Sequence, residues 1–298
     1  MKKFGGIIAA VVAVVAVVIA VIVWPRGTTE VTEDDALEDF RNRATTTSTT
    51  ADEAPDDDAS DTDDAATDLA GNRPQPGVYT YASSGTEVVK LGPLPQENRP
   101  LPASITAVSV DVDDACFDFT INLFAEHRET SRYCASGGEL VLSQHTKNQT
   151  VGAISPTATM TCDPNVLRGG VSGSSSEAAS RETVCTLNVS GGPISVDAQL
   201  SGTVVEEASE VVRVGDDEVE TTPVVLTLVA AGSITGGWTE TIYFADNNLP
   251  VKVVRDLDLQ GPATFTEQSE LVLTSLTPTA GWVARLAEWL DGRRVRSV

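Results

Sequence analysis

Four cysteines and two histidines carry most of the reactive chemistry in this chain, and their spacing separates the uses open to them. A zinc centre draws on paired ligands of the C-x2-4-C kind. Cys116, Cys134, Cys162 and Cys185 form no such pair, and His127 and His145 lie far apart. No metal site is therefore expected. The thiols read instead as two disulfides, the usual state of cysteines in an exported domain. Three pairings are possible. Nearest neighbours are favoured, Cys116 with Cys134 and Cys162 with Cys185. Cys116 opens one strand-like run and Cys134 closes the next, as two strands pairing antiparallel around "AEHRE" require. A bridge closing a loop of that size stabilises a fold by about 3 kcal/mol, mainly by restricting the unfolded chain.

The histidines are the side chains best placed to act as general bases near neutral pH. His127 sits in the polar segment "AEHRET" and His145 in "SQHTKN", and both are expected at the surface. No G-x-S-x-G, H-E-x-x-H or P-loop segment occurs. "DLDLQGPATFTE", Asp256 to Glu267, has the acids, glycine and final glutamate of a calcium loop, but its flanks alternate as strands where helices are required. It reads as a strand followed by a Gly261-Pro262 turn. Asn148 and Asn188 begin glycosylation-type triplets that arise often by chance. No catalytic residue and no cofactor is expected, and the chain is read as a non-enzyme.

The elements around these residues are mostly strands. In "CFDFTINLF", Phe117, Phe119, Ile121 and Leu123 alternate with Asp118, Thr120 and Asn122, the period of a half-buried strand. "AVSVDV" repeats the pattern with Val108, Val110 and Val112, and "ISVDAQLSGTV", "PVVLTLVA" and "LPVKVVRDLDLQ" continue it. Turn signals fall between runs: "SSG" at 83–85, "SGG" at 136–138, "SGGP" at 190–193, "VGDDE" at 214–218, "GG" at 236–237 and "DNNLP" at 246–250. The Gly- and Ser-rich segment 164–180 reads as a mobile loop. Short strands with turn chemistry between them predict a mainly β domain, a curved antiparallel sheet in the form of a meander or half-barrel. Its apolar face must be covered or curl on itself.

Four segments follow. Residues 1–26 carry an uncharged run from Phe4 to Trp24, about 20 apolar residues, enough to span the hydrocarbon core. Lys2 and Lys3 precede it and acids follow, so the positive-inside bias leaves Met1 cytoplasmic and the rest extracytoplasmic. The expected location is a single-pass anchor in the cell membrane. Residues 27–72 are rich in Thr and Asp and poor in large apolar side chains, and are expected to be a disordered acidic linker. Within them "DDALEDFRNRA" allows a brief helix, with Leu37 and Phe40 three apart. Residues 73–278 form the extracytoplasmic β-domain. Residues 279–298 hold a short amphipathic helix, with Trp282, Val283, Leu286, Trp289 and Leu290 on one face, and a basic tail. The whole chain of 298 residues has a formal charge of -23, which excludes nucleic acid as a partner sought through its overall field.

"RPQPGVYTYASSGTE" (73–87), Cys116 with Tyr133-Cys134, and "WTETIYFADNNLPVKV" (238–253) together resemble uncharacterised single-span secreted proteins of actinobacteria. The last segment also resembles a strand-turn-strand of the half-barrel lipoprotein carriers of the LolA and LppX kind. That resemblance implies a curved sheet whose concave apolar face takes acyl chains. It carries over no catalytic residue, and this chain lacks the lipobox cysteine of the lipoprotein members. The leading expectation is an envelope protein binding lipid or another apolar ligand, with Phe117, Phe119, Ile121 and Leu123 lining the site. The alternative is a structural or protein-interaction module of the cell envelope, in which that face is filled core and a partner protein meets an exposed loop or edge. A reporter fused after Val298 is expected to be active only outside the cytoplasm. Cytosolic activity would refute the assigned topology.

Overall fold

The computed structural model describes residues 28–49, 73–92, 94–136, 138–169, 179–191 and 194–279. The N-terminal apolar run, the C-terminal amphipathic segment after residue 279 and most of the Gly- and Ser-rich loop lie outside them. Among the described residues no helix is long and apolar enough to cross a membrane.

Among the described residues one helix, α1 (Glu33–Thr49), precedes fifteen strands. The first eight are β1 (Gly77–Leu91), β2 (Glu97–Pro100), β3 (Ser104–Asp111), β4 (Cys116–Phe124), β5 (His127–Ser136), β6 (Glu139–Gln149), β7 (Thr157–Asp163) and β8 (Val166–Arg168). The rest are β9 (Ala179–Gly191), β10 (Ile194–Glu206), β11 (Glu210–Val214), β12 (Asp217–Gly232), β13 (Thr235–Phe244), β14 (Pro250–Gln260) and β15 (Ala263–Leu273).

Chain neighbours pair antiparallel around a ring, and β15 returns to pair with β1. The result is a 12-strand antiparallel barrel: the expected curved antiparallel sheet with meander pairing is present, but it closes on itself where a half-barrel would stay open. β2, β8 and β11 pair along β1, β6 and β12 outside this ring. Closure removes the sheet edges, and with them the need for a second layer across the apolar face. Two of the six turn signals prove to be strand. β1 runs straight through "SSG", and β13 contains "GG". Gly85 (φ +129°) and Gly236 (φ +120°) stand where a Cβ would lie 2.0 Å from the Gln268 carbonyl oxygen and 1.9 Å from that of Asp258. Glycine there lets adjacent strands approach closely as the sheet coils.

The main core lies inside the barrel. Tyr79, Tyr81, Phe117, Phe119, Tyr133 and Phe244 form its aromatic part, with ring centroids 5.3 to 6.4 Å apart in successive contacts. Both disulfides join nearest neighbours across paired strands. Cys116 faces Cys134 between β4 and β5, and Cys162 faces Cys185 between β7 and β9, with Cα separations of 4.0 and 3.9 Å. This is the chemistry of an oxidising compartment.

Part of the stretch expected to be unstructured is helical. Thr32 and Asp35 cap α1 reciprocally: Asp35 N–H donates to Thr32 Oγ1 (3.3 Å) and Thr32 N–H to the Asp35 carboxylate (3.2 Å). Three acids in the first turn suit the helix dipole. Val31, Ala36, Leu37 and Phe40 then pack on Val78, Val108 and Val110. The apolar alternation of "AVSVDV" thus faces outward, under α1, while Ile105 and Ala107 of the same strand enter the barrel. The helix forms because that outer wall is apolar and needs a cover.

Gly85 lies opposite Ser269 in the β1–β15 seam that closes the ring. Gly85→Val is expected to destabilise the fold by more than about 2 kcal/mol, read as a lower urea midpoint. An unchanged midpoint would show that the seam does not control closure.

Candidate functional site

The barrel interior changes character along its length. Alternation on β5 and β6 points His127, Glu129 and Ser131, and their cross-strand partners Gln149, Lys147 and His145, into the barrel. Glu87 comes from β1, Arg99 from β2, Glu240 from β13, Arg255 from β14 and Glu267 from β15. Together they form a buried belt of charge.

Arg255 is its hub. Its Nη1 lies 2.5 Å from Glu129 Oε2 and 3.5 Å from Glu267 Oε1, and its Nε donates to Glu240 Oε1 at 2.7 Å. Lys147 Nζ lies 3.0 Å from Glu129 Oε1 and 3.5 Å from Glu267 Oε2. Arg99 Nη1 donates to Glu87 Oε1 at 3.2 Å and also pairs with the more exposed Glu97. His127 sits between two carboxylates: Nδ1 meets Glu87, and Nε2 meets Glu129 Oε1 at 2.9 Å.

Both histidines are buried, contrary to the expectation that they are surface residues. His127 is 0% exposed and His145 4%. The polarity of their segments misled, because the polar neighbours point inward too and pair with one another. Burial works against a charged His127, but Glu87 and hydrogen bonds to both carboxylates outweigh it and hold its pKa above 6.5. Burial opposes ionisation of Glu129 and Glu87 as well. Arg255 and Lys147 hold the first well below the usual range, and His127, with Lys147 and Arg99, lowers the second. His145 goes the other way. Burial depresses its pKa, so it is neutral.

With His127 protonated, the four carboxylates Glu87, Glu129, Glu240 and Glu267 face four cations, Arg99, His127, Lys147 and Arg255. Each charge has a partner, which is the condition for burying ions at all. Glu87, His127 and Glu267 also offer ligand atoms within 4.8 Å of one another. In the arrangement described, both His127 nitrogens are engaged by carboxylates and Lys147 pairs with Glu267, so the three groups already serve as members of the belt.

Beyond the belt, toward the turn between β6 and β7, lies a partly open cavity of about 120 Å³. Val89, Met160, Leu187, Trp238, Leu257 and Phe265 line it, and His145 and Lys147 form its polar side. Lys147 Nζ stacks 3.4 Å from the centre of the Phe265 ring. His145 Nδ1 bonds Ser131 Oγ at 3.0 Å, whereas His145 Nε2 and Trp238 Nε1 have no hydrogen-bond partner among the described residues. Their rings meet edge to face, 5.6 Å apart.

The four residues expected to line a ligand site lie elsewhere. Phe117, Phe119, Ile121 and Leu123 are 1, 2, 6 and 0% exposed in the packed core, and none of them borders this cavity. Their strand supplies filled core because Tyr79 and Tyr81 of β1 meet Phe119, and Tyr133, beside Phe117 on the paired strand β5, meets Phe244 of β13 in turn. The apolar residues that do line the cavity are ordinary positions of six strands, which no local pattern marks out. Glu87, Arg99, Glu129, Lys147, Glu240 and Arg255 were likewise unmarked, and Glu267 was noted only as the end of a calcium-loop-like segment, although charges at inward positions of alternating strands are the signal that reveals them.

Neither a protein-family model, nor a curated protein, nor a solved structure matches the chain.

The belt makes stability depend on pH from both sides. Glu87 and Glu129 contribute above the ordinary carboxylate value of 4.5, and that contribution disappears as pH falls through their lowered folded pKa values. His127 contributes fully below 6.5, and its share is lost as pH rises through its raised folded value. His145, with its depressed pKa, contributes above 6.5 and loses that share as pH falls below it, so melting temperature is expected to peak near 6.5 and to fall on both sides. Removing the hub by Arg255→Met should cost about 3 to 5 kcal/mol, because it strands buried carboxylates. A melting temperature independent of pH, together with a neutral Arg255→Met, would dismiss the belt as an energetic unit.

Proposed function

We propose that this protein is a non-enzymatic binding protein of the cell envelope, held to the membrane by residues 1–26, that receives an apolar ligand in one end of its barrel. The observation that carries this reading is the cavity itself: apolar walls from six strands, partly open, with His145 and Lys147 of β6 on its polar side and the Trp238 indole N–H unpartnered among the described residues. Its volume sets the scale. A dry cavity of about 150 Å³ holds one benzene ring, so about 120 Å³ encloses a ring or a short run of methylenes. The rest of a larger ligand, a lipid among them, would extend through the opening. Two unpartnered ring nitrogens favour a ligand that carries a hydrogen-bond acceptor near its enclosed end, since the indole N–H only donates. The disulfides support the extracytoplasmic side of the reading.

A structural or partner-binding module is the second reading. The filled aromatic core behind Phe117 and Phe119 favours it, because most of the barrel has no room for a ligand. Native mass spectrometry of the full chain, extracted gently from its membrane, separates the two. The expected result is a co-purifying small molecule that is lost in Leu257→Trp, a change that fills the cavity. An empty protein, or adduct mass unaffected by Leu257→Trp, would favour the module.

A further inference from the structure

The two ends of the barrel differ in chemistry, and the chain enters at one of them. The turns at the cavity end are Gly92–Gln96, Ala125–Glu126, Thr150–Pro156, Gly191–Ile194, Ser233–Ile234 and Gly261–Pro262. Among the described residues of these turns Glu126 alone is charged, and its carboxylate accepts the backbone N–H of Thr29 (3.0 Å). Leu94 and Ile154 give this rim a partly exposed apolar character, packing over Val89, Leu91 and Val151. The turns at the opposite end carry Asp113, Asp114, Glu207, Asp216 and Asp246, against which stand two arginines from neighbouring segments: Arg73 Nη1 donates to the Asp113 carbonyl (2.6 Å) and Arg168 Nη1 to the Ala245 carbonyl (3.0 Å), which leaves this end net acidic.

Ala125 N–H donates to the Thr29 carbonyl at 2.8 Å, so the described chain begins against the cavity-end rim. The uncharged run of the sequence ends at Trp24, five residues earlier. Five extended residues reach at most about 17 Å. A bilayer that holds that run therefore lies within one short tether of the cavity, while the acidic end, which an anionic lipid surface repels, points away.

We infer that the cavity end of the barrel faces the lipid surface and that bilayer lipid is what its rim meets. This placement rests on the proposed anchoring of residues 1–26 in the membrane and is independent of the apolar-ligand reading. It assigns Leu94, Ile154 and the Thr150–Pro156 turn to the membrane interface and Asp246 to water.

The test uses the full chain reconstituted in vesicles of phosphatidylcholine with phosphatidylglycerol. Single nitroxide labels go on Ala153→Cys and Asp246→Cys, two exposed turn positions. Collision with oxygen, which concentrates in lipid, is compared with collision with a water-soluble nickel chelate. The expected oxygen-to-nickel ratio is several-fold higher at position 153 than at 246. Equal ratios, or a higher one at 246, would overturn the placement. Fluorescence quenching of Trp238 by bromine-labelled acyl chains, in a chain with Trp24, Trp282 and Trp289 changed to Phe, tests the ligand reading on its own. If the label ratios differ as expected but Trp238 is not quenched, the placement stands and acyl-chain entry is refuted.

Discussion

Charge balance inside a closed barrel is the constraint on which the rest of this structure depends. Four glutamates in the interior demand four cations, and three of those come from arginine and lysine. The fourth is the His127 imidazolium, wedged between Glu87 and Glu129. A low-dielectric interior makes each of these pairs strong and each missing partner costly. The belt therefore couples β1, β2, β5, β6, β13, β14 and β15 across the barrel, whereas the disulfides fasten only strands already paired in the sheet.

The belt also divides the interior into two compartments. On one side tyrosine and phenylalanine rings interlock with no space left for a guest. On the other, strands whose inward residues are Val, Leu, Met and Trp leave a cavity open to the rim. His145 belongs to both regions. It bonds Ser131 beside the belt and lies edge-on to Trp238 in the cavity wall. Because burial keeps it neutral, it adds a polar atom to the cavity without disturbing the charge count.

Much of the architecture was legible in the residues. Alternation in "CFDFTINLF" located β4 and its inward face correctly, and the cysteines at its start and at the end of the following run predicted their own pairing. Turn chemistry at 136–138, 190–193, 214–218 and 246–250 marked real strand junctions. Glycines at 85 and 236 misled because a coiling barrel strand and a turn both need a residue without a Cβ. The closure of the ring was not legible, since pairing of β1 with β15 is a contact between the ends of the domain. Nor was the belt. An inward Glu or Lys looks like a solvated one until its partner on a distant strand is known. "AVSVDV" shows the same limit from the other side: period two identified the strand, but only α1 reveals which of its faces is outside.

The protonation of His127 tests the central claim most directly, because the charge balance requires it. Neutron diffraction from deuterium-exchanged crystals grown near pH 6 would show it. The account predicts deuterons on both His127 Nδ1 and Nε2, with Glu87 and Glu129 carrying none. A single deuteron on the ring, or one on either carboxylate, would contradict it.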